Sequence, residues 1–136
     1  MTEPIEAWLI QRISDTWDCA VYDSPPLEQT APPYAVLERL PDITEPNAGL
    51  LRKYQAWRYA IYGVFTLANL IGASVGEGKR EKYQRLYDQL HMQTSIPTNA
   101  EPIACVVRVE SYEPNPEVAL EHANAFVIKL EVSIRA

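Results

Sequence analysis

The chain is poor in the residue types that most often carry chemistry. Its 136 residues include two cysteines, two histidines, two methionines, two phenylalanines and five glycines. Cys19 and Cys105 form no CxxC pair, and two thiols do not make the framework of a disulfide-stapled secreted domain. His91 and His122 stand in no HxxxH or comparable ligand spacing, so no metal site is expected. No nucleophile motif accompanies them, which leaves Ser-His-Asp and Cys-His catalysis without support. Long apolar runs are missing too. The richest stretch, 60–73, is interrupted by Gly63, Thr66, Asn69 and Gly72. It falls short of the roughly 20 residues that span a bilayer. Met1 is followed by Thr2, Glu3 and Pro4, with no basic and apolar leader, so synthesis in the cytoplasm is the default expectation.

Positive charge is scarce. Lys and Arg total 12 against 18 Asp and Glu, a formal net charge of −6, which excludes a polycationic nucleic-acid clamp. The balance of 47% apolar and 22% charged residues is that of a soluble globular domain, and 1–136 reads as one such domain. The charge is unevenly placed. Residues 1–50 sum to −7, residues 51–85 to +5 and residues 86–136 to −4. Blocks of opposite sign favour contact between copies or with a charged partner. On the basic side the candidate contact residues are Arg52, Lys53, Arg58, Lys79, Arg80, Lys82 and Arg85.

Eleven prolines punctuate the chain, and none lies between Pro46 and Pro97, so the longest regular elements are expected there and after Pro116. A first helix is expected over 3–15, with Thr2 as cap, Pro4 in the first turn, and Ile5, Trp8, Leu9 and Ile13 on one face. Short strands are expected at 19–22 and 34–40. The stretch 41–53 has Pro, Asp, Asn and Gly and little periodicity, and reads as a long exposed loop. Residues 54–67 are aromatic and β-branched, apolar on both faces beyond Tyr59, and read as a central strand covered on both sides, in part by another subunit. A second helix is expected over 77–92, with Tyr83, Leu86, Tyr87 and Leu90 buried. Strands at 103–112 and 126–135 complete the order α-β-β-β-α-β-β. In the last of them Phe126, Ile128, Leu130, Val132 and Ile134 alternate with Val127, Lys129, Glu131, Ser133 and Arg135. The expected class is α/β (α+β), a mixed sheet with both helices against it.

Two patterns imitate binding motifs. Ala73-Ser74-Val75-Gly76-Glu77-Gly78-Lys79-Arg80 follows a strand and precedes a helix, as a P-loop does. However, the opening glycine is Ala73, the magnesium-binding hydroxyl is replaced by Arg80, and Glu77 would repel phosphate. A plain strand-to-helix turn is preferred, with a small nucleotide-binding enzyme as the lesser alternative and no cofactor expected. Basic and aromatic residues interleave over 52–59, as in binders of single-stranded nucleic acid. The same period-2 spacing gives an aromatic strand, which is the simpler reading.

The pieces together resemble the tail terminator (tail completion, minor tail) proteins of long-tailed bacteriophages and prophages. The resemblance rests on the short N-terminal helix, Val21-Tyr22-Asp23, the segment Pro32-Pro33-Tyr34-Ala35-Val36-Leu37-Glu38, the aromatic strand 57–67, the helix 80–92 and the two final strands. It implies a compact α/β domain and a non-enzymatic virion protein, assembled in the host cytoplasm. Its working form is a ring, usually of six copies, at the head-proximal end of the tail. Such a ring caps the tail tube protein, stops its polymerisation and offers the docking surface for the head-completion or neck protein. Genome DNA passes the lumen without specific binding, and no membrane is involved. The resemblance also implies that the loop 41–53, with Asp42, Glu45, Asn47 and Leu50, faces the lumen or the tube. A head–tail connector or neck adaptor is the alternative within the same particle.

Overall fold

The computed structural model describes residues 2–23, 31–40, 54–66, 70, 75–114 and 125–135. In sequence order the elements are α1 (Thr2–Trp17), β1 (Ala20–Tyr22), β2 (Tyr34–Arg39), β3 (Tyr54–Val64), α2 (Val75–Leu90), β4 (Ser95–Ile96), β5 (Ile103–Glu113) and β6 (Ala125–Arg135). The expected order α-β-β-β-α-β-β is therefore present. One two-residue strand, β4, is added, too short to leave a periodic signal.

The strands form one mixed sheet in the order β1-β2-β3-β6-β5-β4. Only β1 and β2 run parallel; the other neighbours are antiparallel. The last strand thus sits between β3 and β5. Its register with β3 runs unbroken from Tyr54↔Arg135 to Val64↔Ala125. A bulge between Val109 and Ser111 interrupts its pairing with β5.

Helix α1 runs two residues further than its amphipathic stripe suggests, because Trp17 also faces the core, 4% exposed. It stops at Asp18, which adopts φ 52° and donates its N–H to the Ser14 carbonyl. Aspartate is among the few non-glycine residues that tolerate that left-handed conformation. Helix α2 begins at Val75 and ends at Leu90, with Met92 at φ 63°.

Both helices bury the same sheet face. Ile5, Leu9, Ile13 and Trp17 of α1 and Leu86 and Leu90 of α2 share one cluster with Leu37, Tyr59, Ile61, Val107, Phe126, Ile128, Leu130 and Val132. Burying each large apolar side chain contributes roughly 1.5–3 kcal/mol, so this layer dominates the stability. At its centre Trp17 meets Phe65 and Phe126 edge-on at 5.4 and 5.5 Å, and those two rings stack at 5.7 Å. Gly63 makes the stack possible. It faces Phe126 across the ladder, and a Cβ there would come within 2.8 Å of the ring tip. The indole Nε1 of Trp17 also donates to the Lys82 carbonyl at 2.9 Å, tying the end of α1 to α2.

The opposite sheet face divides in two. Val36, Ala60, Val64, Ala125 and Val127 are buried there, 0–5% exposed, although neither helix reaches them. Beyond Tyr59, β3 is buried on both sides except at the half-buried Tyr62, as its composition suggests.

Candidate interaction surface

Of the seven basic residues singled out by the charge blocks, the five that are described do not share one environment. Arg52 and Lys53 lie outside the described residues, as do Asp42, Glu45, Asn47 and Leu50 of the loop 41–53. Arg58 lies on the sheet face opposite the helices, paired with Glu110 at 3.3 Å. Lys79 is only 3% exposed, and its Nζ donates to the Pro114 carbonyl at 2.7 Å. It therefore belongs to the interior rather than to a contact surface. Burial also pushes its pKa below the usual lysine range. Lys82 is half-buried with its ammonium over the Phe65 ring at 5.3 Å. Arg85 is exposed and pairs with Glu81 one turn earlier. Arg80 is exposed as well. With Lys79 inside, the outer charges of α2 are Arg80, Lys82 and Arg85 against Glu77, Glu81 and Asp88. Among the described residues, the basic side chains of 51–85 do not gather into one cationic patch.

The phosphate-loop imitation has a packing explanation. A Cβ on Gly78 would lie 2.6 Å from the Leu70 Cβ and 3.0 Å from Leu70 backbone atoms. The helix can sit that close to the strand exit only with glycine there. Lys79, which would reach phosphate in a P-loop, points instead to the end of β5. Ala73 and Ser74 lie outside the described residues.

The sheet face away from the helices is a second candidate surface. Its register rows run across the strands. One is Arg58–Glu131–Arg108, next to Ala56–Ser133–Val106. The Ser133 hydroxyl donates to Glu131 at 2.8 Å, and Glu110 joins from the bulge through Arg58. Arg108, Glu110 and Lys129 are exposed. The other end is aromatic and apolar: Tyr22–Val36–Tyr62–Val127, with Tyr34–Val64–Ala125 beside it. Tyr22 and Tyr34 meet edge-on at 6.1 Å and are half-buried, as is Tyr62. Tyr62 donates its hydroxyl to Glu38; burial first, then that carboxylate, raises its pKa. Half-exposed tyrosines and arginine are among the residues that protein contacts favour. The alternation of β6 marks this face in the sequence. Its division into two halves depends on β3 and β5 lying on either side.

Among the described residues, the two cysteines and His91 do not assemble. Cys19 is half-buried and Cys105 buried, both free. Burial pushes the Cys19 thiol up to about 11, despite Lys82 nearby, and raises Cys105 as well. His91 stacks on Tyr87 at 4.4 Å and accepts the Val109 N–H through Nδ1 at 3.2 Å. His122 lies outside the described residues. Among the described residues no group of three or more His, Cys, Asp or Glu side chains could hold a metal ion, and no helix is long and apolar enough to cross a membrane. No protein-family model matches the chain, and no curated protein matches it.

Proposed function

We propose that the protein is a structural subunit of the tail-terminator kind. Copies assemble into a ring, with six as the working number, on the end of a phage tail tube. The ring blocks further tube growth and presents a docking surface for the neck. The observation that carries the reading is the architecture. An N-terminal helix, a crossover helix and three eleven-residue strands lie in the order the resemblance implies. They leave one sheet face to the helices and the other patterned for contact. A ring requires two unlike patches that complement each other. The sheet face with its tyrosine half and its Arg58–Glu131–Arg108 row supplies one, and the exposed Arg80 and Arg85 of α2 lie on the other side. The net charge of −6 suits a lumen through which DNA slides.

Electron microscopy of the protein mixed with tail tubes tests the reading. Rings at one tube end are expected, and deleting the gene gives overlong tails without heads. Tails of normal length that still join heads would refute it. Immunogold label on the portal side instead of the tube end would assign the neck-adaptor role.

A further inference from the structure

We propose that His91 is an acid-sensitive latch on the outer edge of β5. The chain leaving α2 runs back along β5 and closes that edge rung by rung. Met92 N–H donates to the Val107 carbonyl at 2.7 Å, Val107 N–H to Gln93 at 3.0 Å, and Cys105 N–H to Thr94 at 3.1 Å. β4 then pairs Ser95 with Ala104 and Ile96 with Ile103. The next N–H along the edge, that of Val109, is met by a side chain. His91 Nδ1 accepts it at 3.2 Å, in the place where a backbone carbonyl would continue the ladder. The ring is held in plane by Tyr87, with centroids 4.4 Å apart and planes 17° from parallel.

An imidazole that accepts through Nδ1 carries its single proton on Nε2. Once protonated it has two donors and no acceptor, and the Val109 N–H then faces another N–H. Histidine is the side chain that changes charge between pH 5 and 8. From α2 the facing group is the Tyr87 ring. On β5, Arg108 stands opposite Glu131 and Glu110 pairs with Arg58, both on the sheet face away from the helices. Among the described residues no carboxylate lies within ion-pairing distance of His91.

Acid therefore releases the last rung, beside Met92, which is 58% exposed and already held at φ 63°. The freed N–H lengthens the open edge of an eleven-residue strand, and such edges are templates for pairing with another strand.

Amide hydrogen exchange by NMR at pH 8 and pH 5, corrected for intrinsic rates, tests the latch. Protection of Val109 is expected to fall about five- to tenfold at pH 5 relative to Val132, the size of one hydrogen bond. His91→Asn keeps an acceptor that does not titrate, so Val109 stays protected at both pH values. His91→Phe has no acceptor, and protection is low at both. Equal Val109 protection at the two pH values in the wild type overturns the proposal, and so does the same fall in His91→Asn. Should His91→Phe not fold, the wild-type and His91→Asn pair decides alone.

Discussion

Lys79 donates through Nζ to the Pro114 carbonyl at 2.7 Å, which pins the first turns of α2 to the far end of β5. The interaction turns a residue of apparent surface character into an internal strut. Replacing it by glutamate puts a carboxylate against a carbonyl in a site that is 3% exposed. Lys79→Glu is expected to cost about 3 kcal/mol or more, because a buried charge is left without a partner. Arg80→Glu, on the exposed side of the next residue, is expected to stay within about 0.5 kcal/mol. Urea unfolding of the two variants checks the contrast. Equal stabilities would mean that Lys79 is not built into the interior.

Gly78 offers a test in which two effects of opposite sign compete. In an open helix, Gly→Ala gains up to about 1 kcal/mol of helix propensity. Here the new methyl meets the Leu70 Cβ at 2.6 Å and Leu70 backbone at 3.0 Å. Overpacking of that kind costs about 1–3 kcal/mol, so Gly78→Ala is expected to destabilise. Gly76→Ala, at an exposed position two residues earlier in the helix, is the control that reports propensity alone. A thermal melt that ranks Gly78→Ala above the wild type would show that the helix moves away freely.

The two helix ends differ in how well their residue suits the conformation. Met92 holds φ 63° and Asp18 φ 52°. Aspartate adopts this region more readily than methionine. Since Met92 is 58% exposed, glycine there loses little packing. Met92→Gly is expected to raise stability by up to about 1 kcal/mol, and Asp18→Gly by less. Comparison of the two denaturation midpoints checks the order.

Cys19 should be slow to alkylate. Its thiol is shifted by burial from 9.0 to about 11, which leaves roughly 100-fold less thiolate at pH 8 than an ordinary cysteine. The same shift has a consequence for stability. A folded pKa above the unfolded one contributes stability that is fully present below pH 9.0 and is lost as pH rises to about 11. Stability measured across pH 9–10 is therefore expected to decline less steeply in Cys19→Ser. Iodoacetamide kinetics and the two slopes are the measurements. Rapid labelling of folded protein at pH 8 would contradict both.

Much of this molecule is legible from periodicity, because burial repeats along an element. The alternation over β6 names its core face residue by residue, and the stripe of Tyr83, Leu86, Tyr87 and Leu90 places α2. Counting one turn back from Tyr83 reaches Lys79, so the same periodicity already marks that lysine as inward-facing. Summed charge hides it, since a sum along the chain does not distinguish a solvated cation from one spent on a carbonyl. What periodicity cannot give is pairing between distant segments. Nothing local in β6 says that it inserts between β3 and β5, or that both helices share one face. The Arg58–Glu131–Arg108 row and the His91–Val109 contact follow from that placement, so neither is visible before it.

The central position of β6 also decides when this protein can exist. A nascent chain that has not yet reached Ala125 holds two separate pieces, β1-β2-β3 and β5-β4, with no strand to join them. The rows that bury Phe126, Leu130 and Val132 close only across gaps such as Tyr59↔Leu130, so folding waits on distant rather than local pairings. Until β6 is synthesised the inner edges of β3 and β5 stay open, and open strand edges are templates for pairing with other chains.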